Sequence, residues 1–111
     1  MEESILISIK DRIGADNDDS FDTDIIDLIN GAFADLNDIG VGPSDGFVIE
    51  GDTELWTDFV EDVRVLSSVK DFVYLTVKLV FDPPTQAALL ASMERRLNKL
   101  EWRLNVKCDS T

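Results

Sequence analysis

With 111 residues, 44% of them hydrophobic, the chain is long enough for one folded domain and too short for two. It has no histidine, which excludes histidine-based catalytic triads and metal sites, and no CxxC, P-loop or GxGxxG pattern, so we expect no enzyme activity, cofactor or metal. The net charge of −13 argues against binding nucleic acid through its phosphates, and neither a membrane span nor a signal peptide is expected from the apolar runs and the acidic start.

The first predicted element is a helix over residues 2–13. Ile5, Ile9 and Ile13 recur every four residues and form an apolar stripe, and Gly14 is a natural C-terminal stop. An acidic loop follows this helix.

A second helix is predicted over about 23–39. The acidic residues expected to point mostly outward, opposite its buried stripe, are Asp24, Asp27, Asp35 and Asp38. Asp22 is the expected N-cap, and Phe21 before it could pack onto Ile26 as a hydrophobic staple. Gly31 lies in the middle of this helix. Either the close approach of another helix or a tolerated defect could explain it.

Residues 16–27 superficially resemble an EF-hand calcium loop, because oxygen-bearing side chains fall at several of the ligand positions. However, Phe21 occupies the position that needs glycine, and the last ligand is Asp27 rather than glutamate. Asp22 is better used as a helix cap, so a calcium site is not expected.

The middle of the chain is predicted to be a long loop followed by a short helix. Residues 41–52 contain three glycines and a proline, which prevents a long regular element, although a minor extended piece is expected near 47–50. The short helix contains Trp56, which we expect to close the subunit's own core.

Residues 64–81 are rich in β-branched and aromatic residues, and propensity alone would favour a strand. However, Val69, Val73 and Val77 belong to a helical spacing that continues over about four turns, and an unbroken strand of this length is unusual. The sequence therefore predicts a central helix.

The last helix is predicted over 82–105, with Asp82 as its N-cap and Pro83 as its first helical residue, which makes Asp82-Pro83-Pro84 a helix-break motif. Residues 106–111 are predicted to be a tail, and Cys108, the single cysteine, is expected to be dispensable. With no partner for a disulfide, a reducing cytoplasm suits the protein. The predicted apolar stripe of the helix contains Leu89, Leu90, Met93, Leu97, Leu100 and Leu104. Together the predicted elements make an all-α bundle of about five helices with a long C-terminal helix.

Charge is distributed unequally along the chain. Residues 1–63 hold 18 acids and two bases, a net charge of −16, whereas residues 64–111 hold five acids and eight bases, a net charge of +3. This asymmetry is either a solvated face or complementarity between copies. Trp102 either closes the core or anchors a contact. The candidate interface residues for a neighbouring subunit or partner are Arg95, Arg96, Lys99, Trp102 and Arg103.

The FDPPT segment that begins at Phe81 and the EWRLNV segment that begins at Glu101, together with LWTDFV and the DTDIIDLINGAFADLNDIGVGP stretch, resemble the head–tail connector (adaptor) proteins of long-tailed bacteriophages, often carried in prophages. The resemblance extends along most of the chain. It implies a small, mainly helical and non-enzymatic virion protein. Its implied form is a ring, commonly dodecameric in the virion, that docks under the portal after DNA packaging and receives the tail or a neck protein.

Two functional interpretations follow. In the first, the protein assembles in the host cytoplasm and lies in the virion neck, where DNA passes through its channel without specific binding and no membrane is involved. In the second, it is an acidic cytoplasmic interaction module or DNA mimic that binds a basic partner. A connector should form rings or bind a portal, whereas a mimic should stay monomeric or dimeric.

Overall fold

Helices make up all of the regular structure in residues 4–15 and 18–109, the part of the chain that the computed structural model describes, with backbone alone for 107–109. An isolated β-bridge joins Ser4 to Leu55. The prediction of an all-α bundle of about five helices with a long C-terminal helix is confirmed. In chain order the helices are α1 (Ile5–Ile13), α2 (Asp22–Asp38), α3 (Trp56–Phe59), α4 (Val63–Phe81) and α5 (Ala87–Asp109).

The central helix of the bundle is α4, against which all four other helices pack. Val69, Val73 and Val77 are fully buried along it. The helical spacing thus outweighed the strand propensity of this segment, because a helix with neighbours on several sides can bury β-branched residues around most of its surface.

An aromatic cluster closes the core between α2, α3 and the loop that joins them. The ring centroid of Phe33 lies 4.4 Å from that of Phe59, 5.2 Å from that of Phe47 and 6.2 Å from that of Trp56. Trp56 is 2% exposed, and its Nε1–H donates to the hydroxyl of Ser8 at 2.8 Å. The expectation that Trp56 belongs to the core is confirmed.

The start of α2 differs from the prediction. Asp22 is the first helical residue rather than the N-cap, and the residue at the cap position, Phe21, makes no side-chain capping bond. The Asp22 carboxylate instead lies 2.8 Å from Nζ of Lys10. The Phe21 ring packs edge-on against Phe81, with centroids 5.4 Å apart. An ion pair with α1 therefore replaces the expected local cap.

Residues 47–50 of the loop between α2 and α3, where a minor extended piece was expected, form no strand. Side chains of α2 hold the loop in place. The Asn30 amide bonds to both backbone groups of Ile49, and Asn37 Nδ2 donates to the carbonyl of Pro43 at 2.6 Å. Since these hydrogen bonds satisfy both backbone groups of Ile49 and the carbonyl of Pro43, these groups do not need strand pairing.

The connection between α4 and α5 also corrects the prediction. Asp82 is the C-cap of α4, its N–H donating to the carbonyl of Lys78, and α5 begins at Ala87 rather than at Pro83. Pro84 explains the delay, because a residue that precedes proline is disfavoured in the α region, and Pro83 is such a residue. The backbone of α5 continues to Asp109, beyond the predicted end at 105, while the side chain of Cys108 lies outside the described residues.

Candidate functional site

The last helix is longer than the core that it covers. Leu100 and Leu104 are buried against the bundle, whereas Leu89, from the same predicted stripe, is 49% exposed. Near the other side of the turn, Val80 at the end of α4 is 64% exposed. Apolar side chains are therefore exposed to solvent on both sides of the turn between α4 and α5.

The outer face of α5 combines an exposed tryptophan with basic side chains. Trp102 is 69% exposed, which excludes the interpretation that it closes the core. Arg95, Lys99 and Arg103 are exposed as well, and their spacing of four residues places them along one side of the helix. We call this surface, formed by Arg95, Lys99, Trp102 and Arg103, the basic face. Tryptophan and arginine are the residues most enriched at interface hot spots.

Arg96 differs from the other candidate interface residues because it binds within the chain. Its Nη2 donates to Asp71 Oδ2 at 3.1 Å, and Arg12 Nη1 donates to Asp71 Oδ1 at 3.2 Å. The guanidinium of Arg12 also lies over the ring of Tyr74, 3.9 Å from its centroid. One carboxylate on α4 thus links α1 to α5. No sequence pattern predicts this arrangement, since the three charges are far apart along the chain.

The outer face of α2 is acidic. Asp24, Asp27, Asp35 and Asp38 are all exposed, as predicted from their positions opposite the buried stripe. Gly31 lies between them and is exposed too, and a Cβ at this position would meet no atom within 4 Å apart from its chain neighbours and its own helix backbone. Close packing within the subunit therefore does not explain Gly31. We call this surface the acidic face.

Lys10 is a largely buried base that organises the acidic segment before α2. Its side chain is 8% exposed, and Nζ lies 2.7 Å from Asp19 Oδ1 and 2.8 Å from Asp22 Oδ1. The hydrogen bond to Asp19, and to a smaller extent the one to Asp22, raises the pKa of Lys10 above its usual value of 10.5. Asp22, one of the residues of the calcium-like segment, is therefore already paired with a cation.

The residues that the structure describes contain neither a candidate metal cluster nor a candidate membrane span. Asp16 and Asn17, at the start of the calcium-like segment, lie outside the described residues. Within the described ranges, no group of three or more possible ligands could hold a metal ion. The helices of that part of the chain include none that is long and apolar enough to span a membrane.

Comparison with known proteins identifies the family. The sequence profile of the family described as "Phage connector protein" matches residues 5–111, nearly the whole chain. No curated protein and no solved structure gave a significant match. The chain belongs to the phage connector family, which agrees with the resemblance noted in the FDPPT and EWRLNV segments. It is thus a phage structural connector protein with an all-α fold.

Proposed function

We propose that this protein forms a homo-oligomeric ring, dodecameric in the virion, that joins the portal of the DNA-filled head to the tail. The family match over residues 5–111 is the observation that supports this proposal most strongly. In this role the protein assembles in the host cytoplasm, binds the portal on one side and a tail or neck protein on the other, and remains in the virion neck. It acts without catalysis or a cofactor.

The surface of the subunit fits such a role. A ring subunit needs at least two different contact surfaces, because a head-to-tail interface joins unlike patches. The described part of this chain has an exposed basic face on α5 and an exposed acidic face on α2. We propose that Arg95, Lys99, Trp102 and Arg103 make the subunit or portal contacts, and that Arg96, which is paired with Asp71 within the chain, lies at the edge of this surface.

The strongly negative chain also suits a channel through which DNA passes. A net charge of −13 repels phosphates, so DNA would slide without being held. The sequence segment Asp82-Pro83-Pro84 forms the turn of the exposed α4–α5 hairpin, and we propose that this turn end is a contact with another virion component.

A second candidate function is an acidic interaction module or DNA mimic. The acidic face of α2 favours it, because four exposed carboxylates on one side of a helix could occupy a basic site on a partner enzyme. A mimic would use the acidic face alone and would not need the exposed tryptophan of α5.

Two measurements on the purified protein separate the connector from the mimic. They are gel filtration with light scattering and negative-stain electron microscopy at high concentration. The connector proposal predicts ring-shaped particles, or a complex with the portal of the same phage when the portal is added. A particle that stays monomeric or dimeric, and does not bind the portal, would contradict the connector and favour the mimic.

A further inference from the structure

We propose that the basic face of α5 docks on the acidic face of α2 of a second copy of this chain, with Trp102 seated against Gly31. This inference rests on the proposed function, because it names the surfaces through which neighbouring ring subunits meet. It concerns two surfaces that are separate within one subunit. Trp102 is exposed, and apart from the chain neighbours and the helix's own backbone no atom lies within 4 Å of a Cβ placed on Gly31.

Gly31 is at the centre of the acidic face. Asp27 and Asp35 lie four residues to either side of it, and Asp24 and Asp38 lie seven residues away. These spacings put all five residues on one side of the helix. The face is therefore a row of carboxylates with a gap in the middle, where the helix backbone is uncovered by any side chain.

A glycine in a helix interior is unfavourable, because the unfolded chain gains conformational freedom and no side chain packs. At Gly31 neither usual compensation is present inside the subunit. Its φ is not positive, and it has no close neighbour that a side chain would displace. The uncovered backbone at Gly31 permits close approach by a side chain of another molecule, and such a contact would explain the glycine.

The basic face matches the acidic face in charge and in spacing. Arg95 and Lys99 precede Trp102 by seven and three residues, and Arg103 follows it. At 1.5 Å per residue, Arg95 and Trp102 are separated by about 10 Å along the helix axis, the same rise as between Gly31 and Asp24 or Asp38. An indole placed at Gly31 therefore brings two cations beside a pair of carboxylates.

The partner that fits is a second copy, because both complementary faces belong to the same chain and lie on different helices. Such a contact is heterologous and can repeat around a closed ring. The exposed tryptophan provides the apolar anchor, and the surrounding charges fix the register.

The test is a double-mutant cycle on self-association, measured by sedimentation velocity across a concentration series. Gly31→Leu fills the gap, and Trp102→Ala removes the anchor. Each variant should weaken association by about tenfold or more, as expected for an interface hot spot. If the two residues touch, the self-association of the double variant should be no more than about threefold weaker than that of either single variant. The melting temperature of the subunit should not fall for either variant, since both sites are open to solvent.

Ser67→Leu, at an exposed position of α4, is the matched control and should associate like the unmodified protein. If rings form and both Gly31→Leu and Trp102→Ala assemble normally, or if their effects simply multiply, this docking is overturned while the connector proposal stands. If the unmodified protein shows no self-association at any concentration, the docking is also overturned, and binding to the portal then decides the proposed function.

Discussion

Asn30 bonds to both backbone groups of Ile49. Its Nδ2 donates to the Ile49 carbonyl at 3.0 Å, and its Oδ1 accepts the Ile49 N–H at 2.7 Å. Because Ile49 is only 2% exposed, these two hydrogen bonds satisfy buried backbone groups that no strand or helix would otherwise pair. Asn30, together with Asn37 of the same helix, therefore holds the irregular loop onto the core.

Asn30→Leu should destabilise the subunit. Two hydrogen bonds are lost and the Ile49 backbone is left unpaired, so we expect the free energy of unfolding to fall by about 2–3 kcal/mol. Urea denaturation followed by circular dichroism measures it. Asn98→Leu, at an exposed site on α5, is the control and should change stability by less than about 0.5 kcal/mol. Equal stability of the two variants would show that the loop does not depend on Asn30.

Gly42→Ala should be more destabilising than Gly46→Ala. Both glycines have positive φ, +89° and +94°, so both variants strain the backbone. Only at Gly42 would the new Cβ also meet an aromatic ring, 2.5 Å from Cε1 of Phe59, whereas Gly46 is open. We expect losses of about 1 kcal/mol at Gly46 and about 2–4 kcal/mol at Gly42, measured by thermal or urea denaturation. Similar losses at both positions would contradict the packing of Phe59 against this turn.

The ion pairs of Lys10 should give a pH-dependent contribution to stability. Since the folded state raises the pKa of Lys10 above 10.5, its contribution is fully present below that pH and is lost as the pH rises through the folded-state pKa. The difference in unfolding free energy between the unmodified protein and Lys10→Met should therefore be constant from about pH 7 to 9.5 and shrink above about pH 10.5. Chemical denaturation at a series of pH values tests this. A constant difference up to pH 12 would mean that Lys10 acts only through packing.

Reversal of the basic face should abolish self-association and leave the subunit folded. The variant changes Arg95, Lys99 and Arg103 together to glutamate, which would place three carboxylates against the acidic partner. All three are changed because an exposed ion pair contributes only about 0–1 kcal/mol, so such pairs act only as a group. Raised salt should also weaken association, while the apolar contact of Trp102 resists it. Gel filtration with light scattering and circular dichroism measure the two outcomes.

Arg96→Glu separates the intrachain role from the interface. Because Arg96 is bonded to Asp71, reversing the charge of Arg96 should lower the melting temperature, in contrast to the triple variant.

For the triple variant of Arg95, Lys99 and Arg103, assembly like that of the unmodified protein would show that the basic face points to solvent or to the portal instead.

The sequence predicts those parts of the fold that depend on repeated local patterns. The stripe of Val69, Val73 and Val77 was enough to identify α4 as a helix, and the positions of Asp24 and Asp38 opposite the core were enough to predict their exposure. These features depend on spacing alone, which the sequence shows directly.

Features that depend on contacts between distant residues could not be predicted in the same way. The sequence predicts Asp22 as an N-cap, whereas its carboxylate pairs with Lys10 on α1. No local pattern predicts the hydrogen bonds of Asn30 to Ile49. The exposure of Trp102 was undecided because the leucine stripe beside it is longer than the part that the core buries. Pro84, by contrast, is a local feature from which the start of α5 could have been predicted, because a proline disfavours the α region for the residue before it, here Pro83.

The central claim, that this protein connects the head to the tail, is tested most directly by electron microscopy of lysates from a phage in which its gene is inactivated. We expect DNA-filled heads and separate tails to accumulate, and complete virions to return when the unmodified protein is supplied in trans. The Arg95, Lys99 and Arg103 triple-glutamate variant should fail to restore them. Complete, tailed virions in the absence of the protein would contradict its role as a connector.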